Sequence, residues 1–128
     1  MHQVKIPPAV APERDWAGNR RAFALYWGLP AAVMALAGVL DPLTRAFVWT
    51  GALLWMGGAC LANARRCGRT HCRFTGPFFI FMAAMVIAYA AGVLRIGPNG
   101  WTILGSATLA GSMGVWWVTE RVWGKFTP

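Results

Sequence analysis

The sequence is poor in charge. Only 12% of its 128 residues are charged, about half the fraction found in a typical soluble domain. Four of the charged residues are acidic and twelve are Lys or Arg. This composition excludes a soluble globular domain, which needs more polar surface, and the mean hydropathy of +0.47 excludes a disordered chain. The length leaves no room for a separate catalytic domain outside the apolar segments.

Charged residues and histidines are absent from four long apolar segments. These cover residues 22–40, 46–64, 74–94 and 96–119, and each is close to the roughly 20 residues that a membrane-spanning helix needs. We therefore expect an all-α membrane protein with four transmembrane helices, arranged as two antiparallel hairpins. The expected spans are residues 22–40, 46–64, 76–94 and 99–118, and tight turns are expected at residues 41–42 and 97–100.

The basic residues fall in alternate connections. Most belong to the tail at residues 1–21, the connection between the second and third helices, and the tail at residues 120–128. Because Lys and Arg accumulate on the cytoplasmic side, both tails are predicted to be cytoplasmic in a multi-pass bacterial inner-membrane protein. No cleavable signal is predicted, since residues 1–20 contain no apolar run. Topology explains the net charge of +8 without a nucleic-acid partner.

Two prolines and one pair of small residues predict local features. Pro30 lies inside the first span and is expected to kink it, because proline displaces a helical hydrogen bond. Pro77 is expected in the first turn of the third helix, which Thr75 or Gly76 would cap. Gly58 and Ala62 lie four residues apart in the second helix, a spacing that favours close packing between helices.

Catalytic and proton-carrying motifs are missing. The spans contain no ionisable group of the kind that proton-coupled transporters need. A Ser, His and Asp set, a phosphate-binding glycine loop and a zinc-protease motif are also absent from the sequence. We therefore expect a protein that is not an enzyme.

All three cysteines and one of the two histidines fall within thirteen residues. Cys67, His71 and Cys72 lie in the predicted cytoplasmic connection, and Cys60 would share a face with Cys67 if the second helix continued. Cytoplasmic thiols stay reduced, so a structural disulfide is not expected. Thiolate and imidazole are ligands of zinc, copper(I) and other soft metals. The cluster is a candidate metal site, although Cys60 also fits a role as a small apolar residue in the helix packing.

Arginines surround this cluster, and two interpretations of them stay open. Their positive charge favours the thiolate forms of the cysteines, and they precede a helix N-terminus, which favours anion binding. The anion would be a lipid phosphate, which basic juxtamembrane clusters attract. Alternatively, these residues only orient the protein in the membrane. The four residues are Arg65, Arg66, Arg69 and Arg73.

Two segments carry a resemblance to known proteins. The sequence RCGRTHCRFTGPFF at residues 66–79 and the sequence ERVWGKF at residues 120–126 resemble small uncharacterised bacterial inner-membrane proteins, and this resemblance implies no particular activity. A looser similarity is to small bacterial mercury-transport membrane proteins, which pass a thiophilic ion between cysteines. Those proteins carry a cysteine pair in the first helix, and this sequence has none there.

Two classes of function follow. The first is a membrane protein that binds or transports a soft metal, namely mercury, copper or zinc, through Cys67, His71 and Cys72, with Cys60 as a further ligand. The second is a non-catalytic membrane component that binds a partner protein or anionic lipid through the arginine-rich connection. A homo-oligomer or a complex with another membrane protein is compatible with both.

Overall fold

A computed structural model describes residues 14–126. Residues 1–13 of the predicted N-terminal tail and the last two residues lie outside this range, as do both chain termini. The all-α class is confirmed, because the described residues form helices joined by turns and one isolated bridge. Helix α1 consists of Arg20–Phe23, the π-helical Ala24–Gly28 and Leu29–Ala37, and it is followed by α2 at Pro42–Cys67, α3 at Thr70–Ala90 and α4 at Gly100–Trp123.

Consecutive helices run antiparallel, as their contacts show. Trp27 and Met34 of α1 meet Cys60 and Trp49 of α2, respectively, so residue numbers rise in one helix as they fall in the other. The same reversal relates α2 to α3 and α3 to α4. Two of the helices, α2 and α3, are long and apolar enough to cross a membrane.

Pro30 is preceded by an irregular turn of α1. Proline lacks the backbone N–H and its ring occupies space in the preceding turn. The π-helical segment Ala24–Gly28 widens that turn, and the Leu29 N–H bonds to the Ala24 carbonyl five residues earlier. The irregularity expected at Pro30 therefore takes the form of a π-helical turn.

The turn between α1 and α2 is stabilised by two charged side chains. Asp41 caps α2 by accepting a hydrogen bond from the Thr44 N–H at 3.0 Å, and Pro42 occupies the first turn. The Arg45 guanidinium donates to carbonyls just after the end of α1, at 2.8 Å to both Gly38 and Leu40. Arginine at this position satisfies carbonyls that have no helical partner.

The connection between α2 and α3 is much shorter than the sequence indicated. The expected loop from Arg65 to Arg73 is reduced to Gly68 and Arg69, because α2 continues to Cys67 and α3 begins at Thr70. Gly68 ends α2 with φ 73°, a left-handed conformation that glycine adopts without strain. Consequently Cys67, His71 and Cys72 lie on helices and not on a flexible loop.

The predicted start of the third helix is also wrong. The sequence placed Pro77 in the first turn, but α3 begins six residues before Gly76 and contains Pro77 in its interior. The Thr70 N–H, which has no partner within the first turn, bonds to the Lys125 carbonyl at 3.0 Å. A contact with the end of the chain therefore stabilises a helix start that local sequence did not indicate.

Helices α2 and α3 approach each other closely at Gly57 and Gly76. A Cβ atom at Gly57 would lie 3.0 Å from Ile80 and 3.1 Å from the Gly76 carbonyl. The small-residue seam expected at Gly58 is wrong by one position, because a Cβ there would meet nothing within 4 Å. Close approach at small residues is the usual basis of helix association in membranes.

We expect Gly57→Val to destabilise the protein by about 1–3 kcal/mol, the usual cost of overpacking. Gly58→Val is the matched control, because it changes the same residue type in the same helix without a neighbour to displace. Thermal unfolding of both variants in one detergent measures the difference. An equal fall in melting temperature would show that valine acts through helix propensity and not through the α2–α3 contact.

A buried ion-pair and thiol cluster as the candidate functional site

The candidate site lies where α2 meets α3. The segment before α1 covers it from one side through Asp15 and Trp16, and the segment after α4 covers it from the other through Phe126, which bridges to Arg69. The ionisable groups and thiols at this site are unusual because they are almost completely buried. Asp15, Arg69 and His71 are each 5% exposed or less, and the cysteines are fully buried.

The Arg69 guanidinium lies between two carboxylates. Its Nη1 donates to Asp15 and its Nε donates to Glu120 at 2.6 Å. Burial alone would raise the pKa of Asp15, but the hydrogen bond from Asn63 and the charge of Arg69 lower it below the ordinary value of 3.8. Burial opposes ionisation of Glu120 as well, and hydrogen bonds from Arg69 and His71 bring its pKa below 4.5. Both carboxylates are therefore ionised and paired at neutral pH.

Asn63 connects the ion pair to the thiols. Its Nδ2 donates to Asp15 at 2.8 Å and lies 3.3 Å from the Cys72 sulfur, and its Oδ1 accepts from the Trp16 N–H at 2.9 Å. The Cys67 thiol donates to the Asn63 carbonyl at 3.1 Å. A fully buried amide needs such partners, because an unpaired polar group would be costly there. Asn63 therefore fixes the relative positions of the tail, Cys67 and Cys72.

His71 links Glu120 to Cys72. The Nδ1 atom lies 2.9 Å from Glu120 Oε1, and Nε2 lies 3.5 Å from the Cys72 sulfur. Because an ionised Glu120 can only accept, a neutral His71 carries its proton on Nδ1 and presents an unprotonated Nε2 to the thiol. The imidazole also stacks on Trp116, with ring centroids 4.0 Å apart. This arrangement orients the imidazole and gives Cys72 a proton acceptor.

The cysteines divide into a pair and a separate residue. The Cys60 and Cys72 thiols are close neighbours on α2 and α3, and the Cys60 sulfur also accepts from the Trp27 indole N–H at 3.2 Å. Cys67 bonds to Asn63 instead. The sequence grouped Cys67, His71 and Cys72 and placed Cys60 at the margin, whereas the structure places Cys60, Cys72 and His71 together. The antiparallel packing of α3 against α2 brings Cys60 to the site.

The described residues offer fewer clustered metal ligands than the four that a structural zinc site usually has. Within residues 14–126, no group of three or more His, Cys, Asp or Glu side chains has a geometry that could hold a metal ion. The Cys60 and Cys72 thiols lie near each other, and His71 Nε2 lies 3.5 Å from the Cys72 sulfur.

The four arginines of the predicted anion site have different environments. Arg65 is exposed at the end of α2, and Arg66 lies over the Trp16 ring at 4.4 Å. Arg69 is buried and pairs with carboxylates of this chain, so its anionic partners are Asp15 and Glu120. Arg73 is half-buried at the start of α3.

Several site residues escaped sequence reasoning. Asn63 is the one amide inside the charge-free segment at residues 46–64, and an isolated amide in such a segment is a signal of buried hydrogen bonding. Asp15 and Glu120 are two of only four acidic residues, and each flanks an apolar segment. Trp27 and Trp116 carried no separate signal. Trp116 nevertheless stacks on His71.

Comparisons with protein-family models, curated proteins and solved structures find no match to this chain.

We expect Arg69→Gln to destabilise the protein by about 3–5 kcal/mol, because it leaves the buried Asp15 carboxylate without its cation. Arg65→Gln removes the same charge from an exposed position of the same end and is expected to have little effect. Thermal or denaturant unfolding in detergent measures both variants.

Acid should lower the stability of the wild-type protein, because it protonates the carboxylates of the same ion pair. Since the pKa values of Asp15 and Glu120 are lowered by folding, their contribution is complete above the ordinary carboxyl pKa. It is lost as the pH falls through the lower folded-state values. Arg69→Gln should reduce this acid dependence. A variant with the wild-type acid profile would contradict the assignment of the effect to Arg69.

Proposed function

We propose that this chain is a small multi-pass membrane protein that binds a soft metal ion through the Cys60 and Cys72 thiolates, with His71 beside them. The observation that carries the proposal is that two buried thiols from different helices are close neighbours, with an imidazole Nε2 3.5 Å from the Cys72 sulfur. Thiolates select copper(I) and other soft ions.

The donor pair favours metals that accept two sulfur ligands. Zinc usually takes four ligands, whereas copper(I) and mercury(II) form stable complexes with two thiolates. Binding requires that both thiols lose their protons, and Nε2 of His71 accepts from Cys72. The surrounding apolar residues exclude competing water. The geometry therefore supports copper(I) or mercury(II) more than zinc.

The outer surface of the helices supports four membrane crossings. Beyond α2 and α3, α1 and α4 also expose large apolar side chains along their length, as a lipid-facing surface requires. Examples are Leu29 at 54% and Leu36 at 72% in α1, and Leu109 at 65% and Met113 at 63% in α4.

Exposed cations mark the cytoplasmic end of the proposed bundle. The start of α1, the end of α2 and the end of α4 lie at the same end, which the positive-inside rule assigns to the cytoplasm. These cations also support a second role, attraction of anionic lipid headgroups. The exposed residues are Arg20, Arg21, Arg65, Arg121 and Lys125.

The proposed orientation is tested with introduced cysteines. The three natural thiols are buried, and they are replaced by serine in this experiment so that only the introduced cysteine can react. Arg65→Cys at the proposed cytoplasmic end should resist a membrane-impermeant maleimide in spheroplasts and react after permeabilisation. Arg95→Cys, exposed near the other end, should react in both. The reverse pattern would overturn the orientation.

We expect Cys60→Ser and Cys72→Ser each to abolish tight binding of copper(I) and mercury(II), because one thiolate is lost from a pair. Cys67→Ser is the matched control, since this equally buried thiol bonds to Asn63. Binding should tighten with rising pH as the thiols ionise, and His71→Gln should weaken it less than either cysteine change. Anaerobic titration against a competing chelator measures the affinities.

The control decides which cysteines form the site. If Cys67→Ser abolished binding and Cys60→Ser did not, the ligands would be those grouped in the sequence and not those paired in the structure. Equal binding by the wild type and all three variants would overturn the metal proposal. Lipid attraction at the exposed cations would then be the better-supported role.

A further inference from the structure

A cavity of about 490 Å³ lies between α1 and α4. It extends from Trp116 to Gly105 along α4, which corresponds to roughly 16 Å at the rise of an α-helix. Ala31 and Ala35 of α1 and Leu109 of α4 border it and are exposed on the lipid-facing side. The volume is within the range of small-molecule sites. A lipid-soluble molecule can therefore enter it from the bilayer.

Most of the cavity wall is apolar, and its chemically reactive groups gather at one end. The Cys60 thiol and the His71 imidazole line that end. The aromatic side chains of Trp27, Phe79 and Trp116 form the surrounding wall. A flat ring with a polar edge fits such a site, where orientation comes from a few polar groups in an apolar wall.

Thr75 supplies an unused hydrogen-bond donor. It is 3% exposed, lines the cavity, and its hydroxyl has no partner. Three other buried polar atoms among the described residues also lack partners, but they belong to Thr50, Arg66 and Thr70, which do not line this cavity. Thr108 lines the opposite wall and already donates to the Leu104 carbonyl at 2.8 Å. An unsatisfied buried hydroxyl is costly, so a ligand that accepts from Thr75 would be stabilised.

We propose that this cavity binds a lipid-soluble quinone, which accepts a hydrogen bond from Thr75 and oxidises the Cys60–Cys72 pair to a disulfide. Three features favour a quinone over a simple acyl chain. A quinone carbonyl is a neutral acceptor for the free hydroxyl, its flat ring matches the aromatic wall, and it takes the two electrons that a dithiol releases.

The reaction balances between the two partners. The Cys60 thiolate adds to the quinone ring, and the Cys72 thiolate then attacks the Cys60 sulfur. The sulfur–sulfur bond forms as the carbon–sulfur bond breaks, and its electron pair remains on the ring. The two protons lost by the thiols end on the two quinol oxygens. His71 accepts the Cys72 proton at Nε2 and is oriented by Glu120.

This inference uses the thiol pair of the proposed function but not its metal. A disulfide cannot supply two thiolates, so quinone oxidation would also prevent metal binding. The two proposals fail separately. Copper binding by the reduced protein tests the first, and quinol formation by metal-free protein tests the second.

The experiment mixes reduced, metal-free protein with a short-chain ubiquinone analogue under anaerobic conditions. We expect one quinol per chain, a fall from three free thiols to one, and a Cys60–Cys72 disulfide in peptide mass spectra. Cys60→Ser and Cys72→Ser should form no quinol, whereas Cys67→Ser should match the wild type. Absence of quinol, a persistent quinone adduct, or a disulfide to Cys67 would overturn the proposal.

Thr75→Val separates a binding role from a structural one. Loss of one hydrogen bond should raise the half-saturating quinone concentration about five- to tenfold. The melting temperature of the quinone-free protein should stay the same or rise. Thr108→Val, whose hydroxyl is already bonded to its own helix, should leave quinone affinity unchanged. Ala31→Phe should fill the cavity and block oxidation without contacting the thiols. Equal affinities for the two valine variants, or full oxidation of Ala31→Phe, would overturn the quinone site.

Discussion

The buried Arg69 guanidinium is the group on which the rest of this end of the molecule depends. It pairs with Asp15 from the segment before α1 and with Glu120 from α4, so one cation joins three parts of the chain that are far apart in sequence. Buried charges are tolerated only when paired, and removing one partner leaves the other uncompensated. The cation connects α3 to the segment before α1 and to α4, and its partner Glu120 also contacts His71.

The Cys72 thiol is connected to the ion pair by two side chains. Asn63 connects Asp15 to Cys72, and His71 connects Glu120 to the same sulfur. The polar network thereby fixes Cys72 from two directions, while Trp27 fixes Cys60. Thiols whose positions are already fixed would lose little conformational freedom in the metal binding that we propose. Of the two cysteines, Cys60 borders the apolar cavity, which is why we propose both a soft metal and a lipid-soluble oxidant as partners.

Much of the fold was predictable because apolar segments and their end signals act locally. The four charge-free segments correspond to four helices, and Asp41-Pro42 caps α2 as its residue types require. The errors concern Gly58 and the segment from Arg65 to Pro77. A polar, cysteine-rich stretch resembles a loop when it is considered alone, but contacts with Lys125 and Phe126 extend α3 to Thr70. Gly57 and Gly58 are equivalent in sequence, and only the rotation of α2 against α3 distinguishes them.

For the candidate site, the sequence alone determined which reactive groups lie near one another along the chain and that their surroundings are apolar. Composition and spacing are sufficient for that, because residues within one or two helical turns are neighbours in any helical fold. Only the tertiary structure decided that Cys60 pairs with Cys72, that Arg69 pairs with carboxylates 54 and 51 residues away, and that Cys67 stands apart. These choices depend on how helices rotate and pack, and packing arises from contacts between distant segments that no local pattern encodes.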